Sequence, residues 1–160
     1  MNTNFAHIEG MFNTNTDIVN KAIADVDSTH WFQKPGDDSN HLMWLMGHLV
    51  VHRGRTLKML GGDWDAAWTP LFVRGAERVA DAEYPSIDEM HTAWDQVSDK
   101  LSAALRDAPA DVLEQAATKG PPSFDGKTSG TVAFFAFHDS YHVGQVSYLR
   151  KWLGYGRTVG

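Results

Sequence analysis

An apolar stripe of helical period runs through residues 131–152, and it contains two histidines four positions apart. At 100° per residue, Thr131, Phe134, Phe135, His138, Tyr141, His142, Gln145, Leu149 and Trp152 fall on one side of a helix. Most of that side is hydrophobic, so this segment must pack against a core. Two unpaired imidazoles buried there would be costly. Imidazoles at i and i+4 can also point at one common spot, the geometry that a metal ion requires.

Three more segments carry the same period. The first covers about 4–26, with Phe5, Ile8, Phe12, Ile18, Val19, Ala22, Ile23 and Val26 at mostly helical spacing. The second spans 39–60, opening at Ser39 as N-cap and closing at Gly61-Gly62. The third spans 86–107 and starts on the capping-box sequence Ser86-Ile87-Asp88-Glu89. The fourth, 130–153, begins near Thr128-Ser129 and ends at Gly154, with Arg150 and Lys151 in its last turn, the favourable sign for a helix C-terminus. No β-branched alternating runs lie between them, which predicts an all-α fold, a four-helix bundle.

The links refine the topology. Residues 61–85 and 108–127 are long for a bundle, where a few residues suffice. A helix of about 22 residues is about 33 Å long, a distance that the first link can retrace. The second and third helices are therefore expected to run parallel, joined by a crossover. Trp64, Trp68, Pro70, Leu71, Phe72 and Val73 should pack this crossover on the bundle. The second link carries a candidate short helix at Pro109–Glu114, and residues 155–160 read as a tail.

Composition excludes several classes. The 160 residues suit one domain, 1–160, large enough to bury a core unaided. Zero cysteines remove disulfides, thiolate ligands and a cysteine nucleophile, so any metal is held by nitrogen and oxygen. A net charge of −6 without a basic block argues against a nucleic-acid partner. The start, Met1-Asn2-Thr3-Asn4-Phe5, lacks a basic region followed by an apolar run, and no apolar stretch is long enough for a membrane span. The expectation is a soluble, cytoplasmic protein with no membrane partner. Six Trp and eight Phe supply enough apolar surface for a homodimer interface.

Eight histidines would give roughly 0.4 pairs at spacing four by chance, counted as template matches. The chain has two, His48/His52 and His138/His142. On the second helix His41, His48, His52 and Arg55 share a narrow sector, while Leu42, Leu45, Met46, Leu49 and Leu60 form a more apolar one. Two readings stand: the histidines of this helix form a solvated face, or His48, ahead of His52, reaches a metal. His138 and His142 are either ligands or hydrogen-bonded core imidazoles. Rival motifs are absent: no Glu-x-x-His of di-iron bundles and no His-Glu-x-x-His of metalloproteases. Gly126-Lys127-Thr128 imitates the end of a P-loop. Gly120, however, lies one residue too far back, two prolines intervene, and no strand leads in. Gly144 would permit close helix packing, and Gln145 shares the histidine face.

His138-Asp-Ser-Tyr-His142-Val-Gly144-Gln145-Val-Ser-Tyr-Leu149-Arg150 resembles the closing motif of DinB-like (DinB/YfiT) proteins, and Leu42-Met-Trp44-Leu-Met-Gly47-His48-Leu49 is similar to their second-helix signature. The resemblance implies a four-helix bundle of up-down-down-up topology with a long crossover between helices 2 and 3. It implies a three-histidine metal site, His48, His138 and His142. His52 is not a ligand in that pattern, so a four-histidine variant stays open. It further implies a divalent ion, nickel or zinc first, with iron or manganese as alternatives. Characterised relatives include thiol S-transferases and isomerases that use bacillithiol, mycothiol or glutathione.

Function lives in the site rather than in the fold. Three histidines leave coordination positions open, as in catalytic sites. One reading is a metal-dependent enzyme of thiol S-transferase or hydrolase type acting on small molecules. With no cysteine in the chain, a reacting thiol would arrive with a cosubstrate, a low-molecular-weight thiol. The other is a non-catalytic stress-response protein that binds a metal or small ligand. A general base beside the site would separate them. Asp139 lies about 100° from His138 around the helix and is poorly placed, while Tyr141 and Gln145 are closer but weak bases. Metal affinity is expected to fall below about pH 6, where free imidazole gains a proton. Trp44, Phe134, Phe135 and Tyr141 would wall an apolar pocket over the site, and Arg55 would meet an anionic group of a substrate or lie in solvent.

Overall fold

Helical period, caps and breakers place each helix within a few residues of where the sequence puts it. The computed structural model describes residues 5–159. Its long helices are α1 (Ala6–Ile23), α2 (Leu42–Met59), α3 (Ile87–Arg106) and α5 (Thr128–Trp152), with the single-turn α4 (Ala110–Leu113) ahead of the last. Asn4, the first residue expected to be helical, lies outside the described residues. α1 ends at Ile23, three residues earlier than the apolar spacing predicts. At α3 both halves of the capping box form. The Ser86 hydroxyl accepts from Glu89 N at 3.2 Å, and the Glu89 carboxylate accepts from Ser86 N at 3.0 Å.

Ser39 does not cap α2. His41 does, its Nδ1 accepting from Trp44 N at 3.1 Å. The imidazole sits between the rings of Phe32 and Tyr84, both with centroids 5.2 Å away. Burial pushes its pKa down to about 4, against a smaller raising effect from Asp81; Lys34 and Arg78 lower it further. A group whose folded pKa is depressed contributes stability above its unfolded pKa, about 6.5, and loses that contribution as pH falls towards 4. His41→Asn keeps a capping acceptor that does not titrate. The expected result, from urea unfolding at pH 7 and pH 4.5, is a smaller acid loss than in the parent. The difference should reach at most about 1.4 kcal/mol per pH unit.

Cross-helix contacts fix the directions. The Arg53 guanidinium of α2 meets Ser98 at mid-height of α3, and Lys100 reaches the Asp63 carbonyl just past the end of α2. Trp31, bonded to the start of α2 through Met43 N, packs on His91 near the start of α3. α2 and α3 therefore run parallel. Between α1 and α3 the pairs Asn20–Trp94 and Glu9–Arg106 run in opposite directions. Asn15–Asp139 and Ala22–Arg150 make α1 and α5 parallel. The bundle is up-down-down-up, with the crossover between α2 and α3.

That crossover packs on the bundle, burying Trp64 and Phe72. Two glycines of α2 make room for it. A Cβ at Gly47 would overlap the Phe72 ring, and one at Gly54 would come within 2.9 Å of Trp64. α5 starts on a side-chain cap from the preceding loop, where the Asp125 carboxylate accepts from Gly130 N and Lys127 N at 3.0 and 2.8 Å. After Gly154, at φ +92°, the segment read as a tail is tied down. The Tyr155 hydroxyl accepts from Asp27 N at 2.8 Å, and Arg150 donates to the Gly156 carbonyl while pairing with Asp25. Among the described residues no helix is long and apolar enough to cross a membrane.

Candidate metal centre

α2 and α5 are antiparallel neighbours, so His48, seven residues into α2, meets the middle of α5. His48, His138 and His142 each offer a ring nitrogen, and these atoms all lie within 4.8 Å of one another. His138 Nε2 is 3.4 Å from His48 Nε2 and 3.2 Å from His142 Nε2. At metal–nitrogen bonds of about 2.0–2.1 Å, the edge of a tetrahedral site is about 3.3 Å. The nitrogens are therefore spaced as ligands of one small cation are.

The outer nitrogens set the tautomers. His48 Nδ1–H donates to the Phe72 carbonyl at 2.7 Å, and His142 Nδ1–H donates to Gln145 Oε1 at 2.8 Å. With the proton on Nδ1, each Nε2 presents a lone pair to the common point. Lone pairs so aimed repel unless a cation or proton lies between them, so the donor set suits a bound cation. His138 Nδ1 is buried without a partner. Gly47 underlies the His48 contact, because the Phe72 ring lies where its Cβ would be. Trp44 stacks on the other side of His48, centroids 4.6 Å apart and planes at 15°.

Burial is the largest influence on all these imidazoles. It lowers the pKa of His48 and His138 to about 4 and depresses that of His142, whose fall the Gln145 hydrogen bond opposes. Neutral imidazole is the form that binds metal, and burial favours that form at all three positions.

Other candidates fall around the trio rather than in it. His52 packs on His48 and His138, with centroids at 4.4 and 4.3 Å, and both its nitrogens are buried without partners. It stands outside the converging group. Gln145 supports a ligand candidate instead of joining it. Phe134 and Phe135 lie near His138, while Tyr141 sits edge-on to His142 but is 58% exposed. Arg55 is exposed, yet its charge lowers the pKa of His48, His52 and His138. The solvated-face reading fails for His48, which is buried. Gly144 is exposed, and a Cβ there would meet nothing, so it does not serve close packing within the bundle.

Beside the site, Arg53 carries no signal in the sequence and Asp139 reads there only as a poorly placed base; they are 1% and 3% exposed. They pair in bidentate fashion, Nε to Oδ1 and Nη2 to Oδ2, both at 2.9 Å. The remaining guanidinium protons go to Thr16 Oγ1, Ser98 Oγ and the Phe12 carbonyl, so all five donors are used. The guanidinium also lies 4.0 Å from the Trp94 ring centroid. Asn15 donates to Asp139 Oδ2 at 2.9 Å. This network touches α1, α2, α3 and α5 and occupies the turns beside His52 and His138.

Residues 11–146, most of the chain, match the DinB superfamily profile. The chain belongs to the DinB superfamily. No curated protein matches it. Within this DinB-superfamily chain, the matched span contains both the α2 histidines and the His138/His142 pair.

Proposed function

We propose that the protein is a single DinB-like domain over residues 1–160 that holds one divalent ion, nickel or zinc, through Nε2 of His48, His138 and His142. The observation that carries this reading is the convergence of three Nε2 atoms at 3.2 and 3.4 Å with two of the outer nitrogens already committed. The reaction class it fits is thiol S-transfer or hydrolysis on a small molecule in the cytoplasm. A divalent ion held there supplies Lewis acidity, lowering the pKa of water or a thiol that it contacts. The protein's own residues position and shield. Phe72 and Gln145 hold two imidazoles in the ligating tautomer, Trp44 covers one face of His48, and Phe134 and Phe135 exclude water beside His138. With no cysteine in the chain, the sulfur of a thiol reaction belongs to a cosubstrate such as bacillithiol, mycothiol or glutathione.

One observation favours the second reading, a protein that binds metal or a small ligand without turnover. Asp139, the carboxylate next to His138, is fully engaged with Arg53 and Asn15 and gives the site no base. Metal-loaded protein incubated with each thiol and monochlorobimane, alongside ester and amide substrates, distinguishes the two. Turnover lost in folded His138→Ala protein is the expected result. Stoichiometric metal with neither turnover nor thiol affinity would establish the binding role.

A further inference from the structure

The exposed residues of α5 are Phe137, Tyr141, Gly144, Tyr148, Lys151 and Trp152. At 100° per residue the aromatic four and Gly144 lie within a sector of about 80°. They form a ridge about 22 Å long, from Phe137 to Trp152. The aromatic side chains are 44–66% exposed. No exposed charge interrupts α5 before Lys151. Phe134 and the 67% exposed Phe124 continue the patch beyond Phe137.

The ridge is palindromic. Tyr141 lies three residues before Gly144, and Tyr148 three after Gln145; Phe137 lies seven before Gly144, and Trp152 seven after Gln145. We propose that this face of α5 is a two-fold interface between copies of this chain, with the helices antiparallel and the axis between Gly144 and Gln145. In that arrangement Phe137 of one copy faces Trp152 of the other, and Tyr141 faces Tyr148. An isologous contact requires this self-complementarity of a single patch, and a partner of different sequence does not. Gly144 sits at the crossing, where its open Cβ direction lets the two backbones approach.

The area fits. Aromatic side chains bury 150–250 Å² each, so half-exposed ones offer roughly 100 Å² apiece. Five of them, with Met11 and Val159 flanking the ridge along the α1–α5 seam, give roughly 600 Å² per copy and a pair near the 1,200 Å² lower bound of stable interfaces. Pairing would also cover Tyr141 and Gln145, which contact His142. Pairing through this face does not depend on a metal at those histidines.

Untagged protein is expected to sediment at twice the 17.8 kDa chain mass. Tyr148→Glu, at an exposed position, is expected to give a folded monomer by circular dichroism. Because the chain has no cysteine, Gly144→Cys supplies a single thiol at the axis, and mild oxidation should convert it to a covalent dimer. Asp99→Cys, exposed on α3, should not cross-link. A wild-type monomer at roughly 100 μM overturns the proposal, as does a dimer that ignores Tyr148→Glu and leaves Gly144→Cys unlinked. A monomer that floats with phosphatidylcholine–phosphatidylglycerol vesicles assigns the ridge to lipid instead. Metal content, measured on the same samples, tests the histidine site separately.

Discussion

Asp139→Ala is expected to destabilise the protein by about 3–5 kcal/mol, a large share of a typical domain's stability. The reason is what remains rather than what is lost. Arg53, 1% exposed, would keep its charge with no anion beside it, and only neutral acceptors on Thr16, Ser98 and Phe12. Asn15 would lose one acceptor as well. Replacing both partners by apolar residues of similar volume, Arg53→Met with Asp139→Leu, removes the stranded charge and should recover most of the loss. Urea unfolding of the two single variants and the double variant measures this as a coupling energy. A loss below about 1 kcal/mol for Asp139→Ala would mean that the pair does not anchor the four helices.

His48→Ala is expected to lower metal affinity by more than the roughly 10–100-fold that follows loss of an outer partner, the effect predicted for Gln145→Ala. The two variants differ in kind. The first removes a proposed ligand nitrogen, whereas the second leaves all three in place and frees His142 to turn. Isothermal titration with nickel and zinc, with elemental analysis, gives both numbers. A full metal complement at unchanged affinity in His48→Ala protein would reject that ligand. The pH range also moves. Protons compete with metal only near the imidazole pKa of the metal-free protein, and burial holds His48 and His138 near 4. With His142 also depressed, affinity should therefore fall at a lower pH than the value of about 6 that free imidazole gives.

The parts of this protein that repeat or alternate were open to sequence reasoning. The apolar period marks four long helices, Ser86 and Glu89 mark the start of α3, and the long link after Gly62 already leaves room for the crossover. The His138/His142 pair stands out because two imidazoles interrupt an otherwise apolar stripe. Arg53 does not stand out. A charged residue in a helix normally reads as solvent-facing, and what buries it is a carboxylate 86 positions away, together with groups on α1 and α3. The same holds for Phe72. Its role beside His48 is played by a backbone carbonyl, which has no side-chain signature, and only the room left by Gly47 hints at the contact. Ser39 was the better N-cap by residue type. His41 takes the position because Trp31 and Tyr84 fix the chain there, a tertiary constraint that local propensity does not contain.

The crossover also orders events in time. His48, the Phe72 carbonyl, and His138, His142 and Gln145 come together only when the segment between α2 and α3 has wrapped the bundle and α5 has docked along α1 and α2. During synthesis α5 follows every other long helix, so His48 waits without its two partners until α5 has emerged. Hydrophobic packing and the Arg53 network, which joins α1, α2, α3 and α5, hold the scaffold on which the three imidazoles converge.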